Sequence, residues 1–348
     1  MTQRYQSEKL AALTTAYLAG LPHHGHRELE AISHAALDRC GIQYTGKRLA
    51  GQMGNFGYND TCHAVLTGEA EPSYLLTLHV PYDEFPPDEI HREVSTMCAW
   101  LADLDRSTTV DVQTPIPDAD GELCHIHRLP NGLPVVCTVQ RWVSGQDLVK
   151  DGEPVVLDDS ILEDVGSMLR QVHAHGAEWA RLATPQRIRP DPIVDVAEIA
   201  TDTWGERKER NATSAELAMV EATVRRIVDT RKSSDESWGM AHGDFRIGNC
   251  VELDGEVKPI DFDICTLTHQ LDDVGWFLVD LAHATSFEPF LTGYHSGGSE
   301  IDEFIHRVEA AFIIAEVRMC AWGWNGPFPD RIVADCESFL AGKRFLLD

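Results

Sequence analysis

The 348-residue sequence predicts an α+β chain of two lobes, a small antiparallel β-sheet lobe with one helix followed by a larger, mainly helical lobe. Three observations carry this reading. Between Gly41 and Val80 the apolar residues alternate in short runs, the pattern of half-buried strands. A later pair of such runs ends in Ser144-Gly145-Gln146-Asp147, a turn-forming stretch suited to a lobe boundary. Beyond it the apolar spacing becomes helical over 158–176, 192–230, 269–284 and 301–322, with one sheet-like interruption between Met240 and Cys265.

In chain order, 7–19 and 27–39 show apolar positions at helical spacing and predict two short helices. The histidines in this region, His23, His24, His26 and His34, have no acid or cysteine partner at ligand spacing and read as exposed loop residues. IQYTGKRL, YNDTCHAVL and SYLLTLHV predict three strands of a meander, joined by the glycine-bearing GQMGNFG and by TGEAEP. Pro86 and Pro87 followed by Asp88 and Glu89 start a helix, whose apolar face is Ile90, Val94, Met97, Cys98 and Leu101. LCHIHRL and PVVCTVQRWV predict two more strands. In the sheet-like interruption, WGMAHGD, NCVELDG and EVKPIDFD read as a short loop and a hairpin turning at Asp254-Gly255. The expected division is therefore 1–40, a helical extension, 41–143, the small lobe, and 144–348, the large lobe.

Charge and cysteine usage narrow the class of partner. With 56 acidic against 29 basic residues the net charge is −27, which predicts a self-repelling, soluble surface and argues against nucleic acid or an anionic membrane. Nine cysteines stand singly with no CxxC pair, suggesting neither a zinc site nor a disulfide framework and fitting a reducing cytosol. MTQRYQSEKLAAL lacks the apolar centre of a signal peptide, and no apolar run approaches the ~18 residues of a membrane span. A cytoplasmic protein, monomer or homodimer, is expected.

The chemistry concentrates in HGDFRIGN (242–249) and PIDFD (259–263). Asp244 stands on a loop beside Gly243, Asn249 follows five residues later, and Asp261 closes a strand-like VKPI. Phosphoryl transfer from a nucleotide needs such parts: a carboxylate to orient or deprotonate the acceptor, and hard oxygen ligands for Mg²⁺. The spacing H-x-D-x-x-x-x-N, then a hairpin, then D-F parallels the catalytic loop and metal-binding aspartate of protein kinases.

These motifs, with QRWVSGQDL and LRQVHAHG before them, resemble the aminoglycoside phosphotransferase, choline kinase and homoserine kinase superfamily, from about Gly51 to Ala284. The resemblance implies the two-lobed protein-kinase-like fold and a kinase with ATP or GTP as co-substrate and Mg²⁺. It makes Asp244 the catalytic base or acceptor-orienting group, His242 a brace of the catalytic loop, and Asn249 and Asp261 the Mg²⁺ ligands, with Asp263 an acidic neighbour. Asp273 in LDDVGWFL corresponds to a helix aspartate that ties the loop backbone down. In the small lobe it places Gly54, Asn55, Gly57 and Tyr58 over the phosphates, Glu93 on the small-lobe helix, and the backbone from Gln140 through Trp142 to Val143 as a hinge against the adenine.

One part of that pattern is missing. The third strand, where kinases carry a phosphate-holding lysine, reads Tyr74-Leu75-Leu76-Thr77-Leu78-His79, with Thr77 in the expected place and no lysine between Lys47 and Lys150. His79 shares a face with Thr77 and could supply partial charge; Lys47 or Arg48 could reach over from the first strand; or the site is that of a degenerate kinase. The leading expectation is a phosphotransferase acting on a hydroxyl of a small molecule, an amino alcohol, a sugar or an aminoglycoside-like compound. Asp191, Asp195 and Glu206 are candidates to line the acceptor site, and Trp322 and Trp324 to line it or fill the core. The alternatives are a serine/threonine protein kinase of stress-response type and a nucleotide-binding pseudokinase with a regulatory role. Only eleven residues separate Asp261 from Asp273, short for a peptide-holding activation segment.

Overall fold

A computed structural model describes residues 25–55, 58–67, 72–80, 87–128, 134–150, 153–154, 157–182, 213–232, 238–281, 286–295, 301–321 and 330–347. Within them the chain divides at Val143/Ser144 into two compact units. Expectations on the 7–19 helix, on 192–212, and on His23, His24, Gly57, Asp191, Asp195, Glu206, Trp322 and Trp324 lie outside the described residues, whereas His26 and His34 stand on the helix Gly25–Arg39 and not in a loop.

The smaller unit holds α1 (Gly25–Arg39), β1 (Gly46–Asn55), β2 (Tyr58–Leu66), β3 (Pro72–Val80), α2 (Pro87–Ser107), β4 (Cys124–Arg128) and β5 (Pro134–Arg141). The strands form one antiparallel sheet in the order β1-β2-β3-β5-β4. Alternation sorts its residues onto two faces. Leu76, Leu78, Val135, Cys137 and Val139 pack against Ile32, Ala36 and Leu37 of α1, so part of the segment expected as an extension belongs to this core. On the opposite face Thr77 pairs with Thr138 and Thr138 with Cys124, whose Sγ lies 3.0 Å from Ser95 Oγ of α2.

One difference from the sequence reading concerns GQMGN, expected as a connector. It continues β1 as far as Asn55, with Gly51 paired to Cys62 and Gly54 to Asn59 after an irregularity between Leu49 and Gly51. The whole of β2 offers backbone partners along this stretch, and those ladder bonds outweigh the weak strand preference of glycine.

The larger unit contains α3 (Asp159–Leu182), α4 (Ser214–Lys232), α5 (Leu271–Leu281), α6 (Glu288–Tyr294), α7 (Ile301–Ala321) and α8 (Asp330–Leu340). Short strands interrupt them: β6 (Gln146–Asp147), β7 (Val149–Lys150), β8 (Glu153–Pro154), β9 (Trp238–Ala241), β10 (Cys250–Leu253), β11 (Glu256–Pro259) and β12 (Thr266–His269). The apolar stripe of α3 is Leu162, Val165, Leu169 and Val172, spaced at helical intervals. Val220, Val224 and Ile227 of α4 close a core with Ile313, Ile314 and Val317 of α7 and Ile332, Cys336 and Phe339 of α8. Helix α5 is buried along almost its whole length, so its two opening aspartates enter the interior with it. That burial needs compensation, and the site provides it for one of them.

Candidate active site

The β10/β11 hairpin sets the geometry. Asp254 (φ 56°) and Gly255 (φ 85°) make the tight turn that returns β11 along β10. Cys250 pairs with Pro259, and the Ile260 N–H donates to the Asn249 carbonyl at 2.9 Å. Asn249, just before β10, and Asp261, just after β11, therefore emerge at the same end of the hairpin. Asp261 holds a left-handed backbone conformation, φ 64°, which is strained for a residue with a Cβ and marks a position fixed by its surroundings.

Asp244 sits on the loop leading into the short 3₁₀ turn Ile247–Asn249. Asn249 Nδ2 donates to the Asp244 carbonyl at 2.8 Å and to its Oδ2 at 3.1 Å, joining the two residues directly. Because the amide nitrogen is spent on Asp244, the amide oxygen is the atom left for a cation. Burial raises the pKa of Asp244, an effect opposed by the Arg246 charge and the Asn249 bond, so its carboxylate is a better proton acceptor than a solvated one.

His242 is fully buried and braces this loop. Its Nε2–H donates to the Ile260 carbonyl at 2.8 Å and its Nδ1 accepts from the Asp244 N–H at 3.4 Å, while its ring lies 4.3 Å from that of Phe262. Burial lowers its pKa, so the ring is neutral, and both nitrogens are engaged in holding the two halves of the site together.

Asp273, in the first turn of α5, anchors the same loop from the other side. Its Oδ2 accepts from the His242 N–H at 2.8 Å and its Oδ1 from the Gly243 N–H at 2.9 Å. His173 of α3 donates from Nε2 to Oδ2 at 3.0 Å, and its Nδ1 accepts from Tyr294 Oη at 2.7 Å. Gly243 is required here: its φ is +84°, and a Cβ would run into the Ile264 carbonyl. The loop's other end is held by a pair that motif reading passed over. Arg246 makes two bonds to Asp280, at 3.3 and 3.2 Å, and Asp280 also accepts from the Ile247 N–H. Asp280 lies two helical turns beyond Asp273 on α5, and that spacing was the available signal.

A protein-family model described as the phosphotransferase enzyme family matches residues 58–311. The chain belongs to this family. No curated protein matches the chain by sequence. Among solved structures, it is similar to a microcompartment-associated aminopropanol kinase, at 21% identity over 90% of this chain and 94% of the other, with TM-score 0.60. An amicoumacin kinase in complex with AMP-PNP and Ca²⁺ aligns at 12% identity over 92% and 98%, TM-score 0.60. The GDP complex of an aminoglycoside 2'-phosphotransferase aligns at 14% over 90% and 97%, TM-score 0.57. The fold of this phosphotransferase is thus protein-kinase-like.

Asp263 follows Asp261 and Phe262 in the larger unit, and the positions expected from the sequence to meet the nucleotide fall in the smaller unit. Thr77 is fully buried on β3, on the same sheet face as His79, whose Nε2 lies 3.4 Å from Thr138 Oγ1. Glu93 is buried on α2. The Gln140 side chain is buried, and the backbone N–H groups of Arg141 and Trp142 are already committed, to the Thr114 carbonyl at 2.8 Å and the Ser73 carbonyl at 2.9 Å. Of the phosphate-loop candidates, Gly54, Asn55 and Tyr58 lie at the paired ends of β1 and β2. The side chains of Lys47 and Arg48 lie outside the described residues.

Proposed function

We propose that this phosphotransferase is a Mg²⁺-dependent small-molecule kinase moving the γ-phosphoryl group of ATP or GTP to an alcohol hydroxyl of an amino alcohol, a sugar or an aminoglycoside-like compound. One observation carries the reading: Asn249 is bonded to Asp244 and emerges at the same hairpin end as Asp261, so a proton acceptor and two hard oxygen donors converge. The donor set suits Mg²⁺, since Asn249, Asp261 and Asp263 offer only oxygen and the neighbouring imidazole of His242 has both nitrogens engaged. When bound there, Mg²⁺ supplies neutralisation of charge on the nucleotide phosphates.

In the reaction, the acceptor oxygen forms a bond to the γ-phosphorus as the bond to the β–γ bridging oxygen breaks, and the hydroxyl proton passes to the Asp244 carboxylate. The nucleoside diphosphate leaves with the bridging oxygen. Asp273, His242 and Arg246 take no proton; they hold Asp244 and Asn249 in place, which is where most of the rate advantage of such a site resides.

The protein-kinase alternative is disfavoured by β12, which occupies the segment between Asp261 and α5 and pairs with β9 from Thr266↔Ala241 to His269↔Trp238. With four of its residues committed to this ladder, the short segment leaves little loop to hold a peptide. The experiment is a screen for nucleoside diphosphate release with Mg²⁺ and ATP or GTP over amino alcohols, sugars and aminoglycosides. Acceptor-dependent release supports the reading; nucleotide binding without release for any acceptor favours the pseudokinase alternative suggested by Thr77.

A further inference from the structure

The smaller unit brings together three side chains of metal-ligating type that the phosphotransfer chemistry does not use. His125 and His127 alternate along β4 and so share a sheet face, and Cys137 of β5 is the direct ladder partner of His125. One ligand atom from each lies within 4.8 Å of the other two, and the imidazole rings meet edge to face at 4.9 Å. Neither ring nitrogen of His125 has a hydrogen-bond partner, nor has Nε2 of His127, although all three atoms are buried. His125 itself is only 6% exposed. The buried Cys137 thiol makes only a long, weak hydrogen bond to the Val135 carbonyl, at 3.9 Å, among the described residues. Native interiors satisfy their polar atoms with few exceptions, and two imidazoles with three dry nitrogens in one spot are an exception that calls for an occupant.

We propose that His125, His127 and Cys137 bind a divalent ion of the zinc class. Two imidazoles and a thiolate are the donors such an ion prefers, and bonds of about 2.0–2.3 Å place tetrahedral ligands roughly 3.5 Å apart, within reach of the present spacing by small side-chain rotations. Binding breaks the Cys137 S–H bond, forms the metal–sulfur bond and releases the proton to solvent. The half-buried His127 gives the ion its way in and leaves the fourth position to water. The neighbouring cation, Arg39, is neutralised by its ion pair with Asp118.

The site lies on the α1 face of the sheet, opposite the face carrying Thr77, so it acts as a clip between the edge strand β4 and β5 and takes no part in phosphoryl transfer. Sequence spacing does not reveal it because the ladder, and not the chain, delivers Cys137 to His125.

The test uses the full chain, stripped with a chelator and titrated with Zn²⁺ or Co²⁺. One equivalent should bind with a dissociation constant in the micromolar range or tighter, Zn²⁺ should raise the unfolding temperature, and the Co²⁺ form should show a thiolate-to-cobalt charge-transfer band. Oxygen-only sites such as the proposed Mg²⁺ site give no such band. Cys137→Ser should lose both the band and the thermal shift. His127→Asn, at a half-buried position, should stay folded by circular dichroism and bind at least tenfold more weakly, which decides the matter if Cys137→Ser does not fold. Absence of stoichiometric binding, or unchanged binding in His127→Asn together with a band that persists in Cys137→Ser, would overturn the proposal.

Discussion

Asp273 satisfies three donors at once, two of them backbone N–H groups of the Asp244 loop. Asp273→Ala strips those donors inside the protein, and the expected cost is about 2–4 kcal/mol of stability, read from urea unfolding, with turnover lost alongside. A change below about 0.5 kcal/mol would mean the loop is held by other contacts. A second buried acid titrates in a way that can be read out. Glu316 of α7 is raised well above the carboxylate range by burial, against the pull of Arg331, whose Nη2 lies 2.7 Å from it. Glu316 and Asp335, which share Arg331, thus keep a proton between them in the folded chain where the unfolded chain has lost it, so the pair's contribution to stability falls as pH rises through the neutral range. Glu316→Gln should therefore gain in unfolding temperature relative to the parent between about pH 5 and pH 8, and an equal difference at both would contradict the shift. On the acid side His269, which burial and the Arg231 charge hold down to about 3, makes the folded chain lose stability below its unfolded pKa of about 6.5.

The catalytic loop depends on its elements as much as on its side chains. Gly243→Ala places a Cβ against the Ile264 carbonyl at a φ that already disfavours it, so the loop must shift while the hairpin and α5 remain. The expected outcome is a folded protein with kcat reduced about 100-fold or more, measured with nucleotide binding as control. Much of this element structure was legible in the sequence. The Asp254-Gly255 hairpin, the helix that begins at Pro87, and the five alternating runs each announce themselves through turn chemistry and period. The missed elements had weaker local signals. TLTH is four residues long and becomes β12 only because Trp238–Ala241 pairs with it, and EPFLTGY makes one short helix. Helix α8 was detectable, since Ile332, Cys336 and Phe339 recur at helical spacing. The motif spacing named Asp244, Asn249 and Asp261, but the Asp280 clamp on Arg246 and the His173–Tyr294 support behind Asp273 depend on tertiary contacts between distant helices.

At the scale of the molecule the net charge of −27 repels an anionic nucleotide and attracts a cationic acceptor. Raising ionic strength from about 50 to 200 mM screens both effects. The kcat/KM for nucleotide should rise about twofold or more, while the KM for an amine-bearing acceptor should increase and that for a neutral sugar stay level, so the salt profile separates the acceptor classes. Opposite trends would place the relevant field in local groups and not in the overall charge.

The expectations on turnover rest on the proposed role of Asp244 as proton acceptor of the transfer step. Single-turnover phosphoryl transfer by Asp244→Asn, which keeps the side-chain shape, tests it most directly. The predicted result is nucleotide affinity within about threefold of the parent and a chemical step slowed about 10²–10⁴-fold. A variant that transfers phosphate at the parental rate would contradict the assignment.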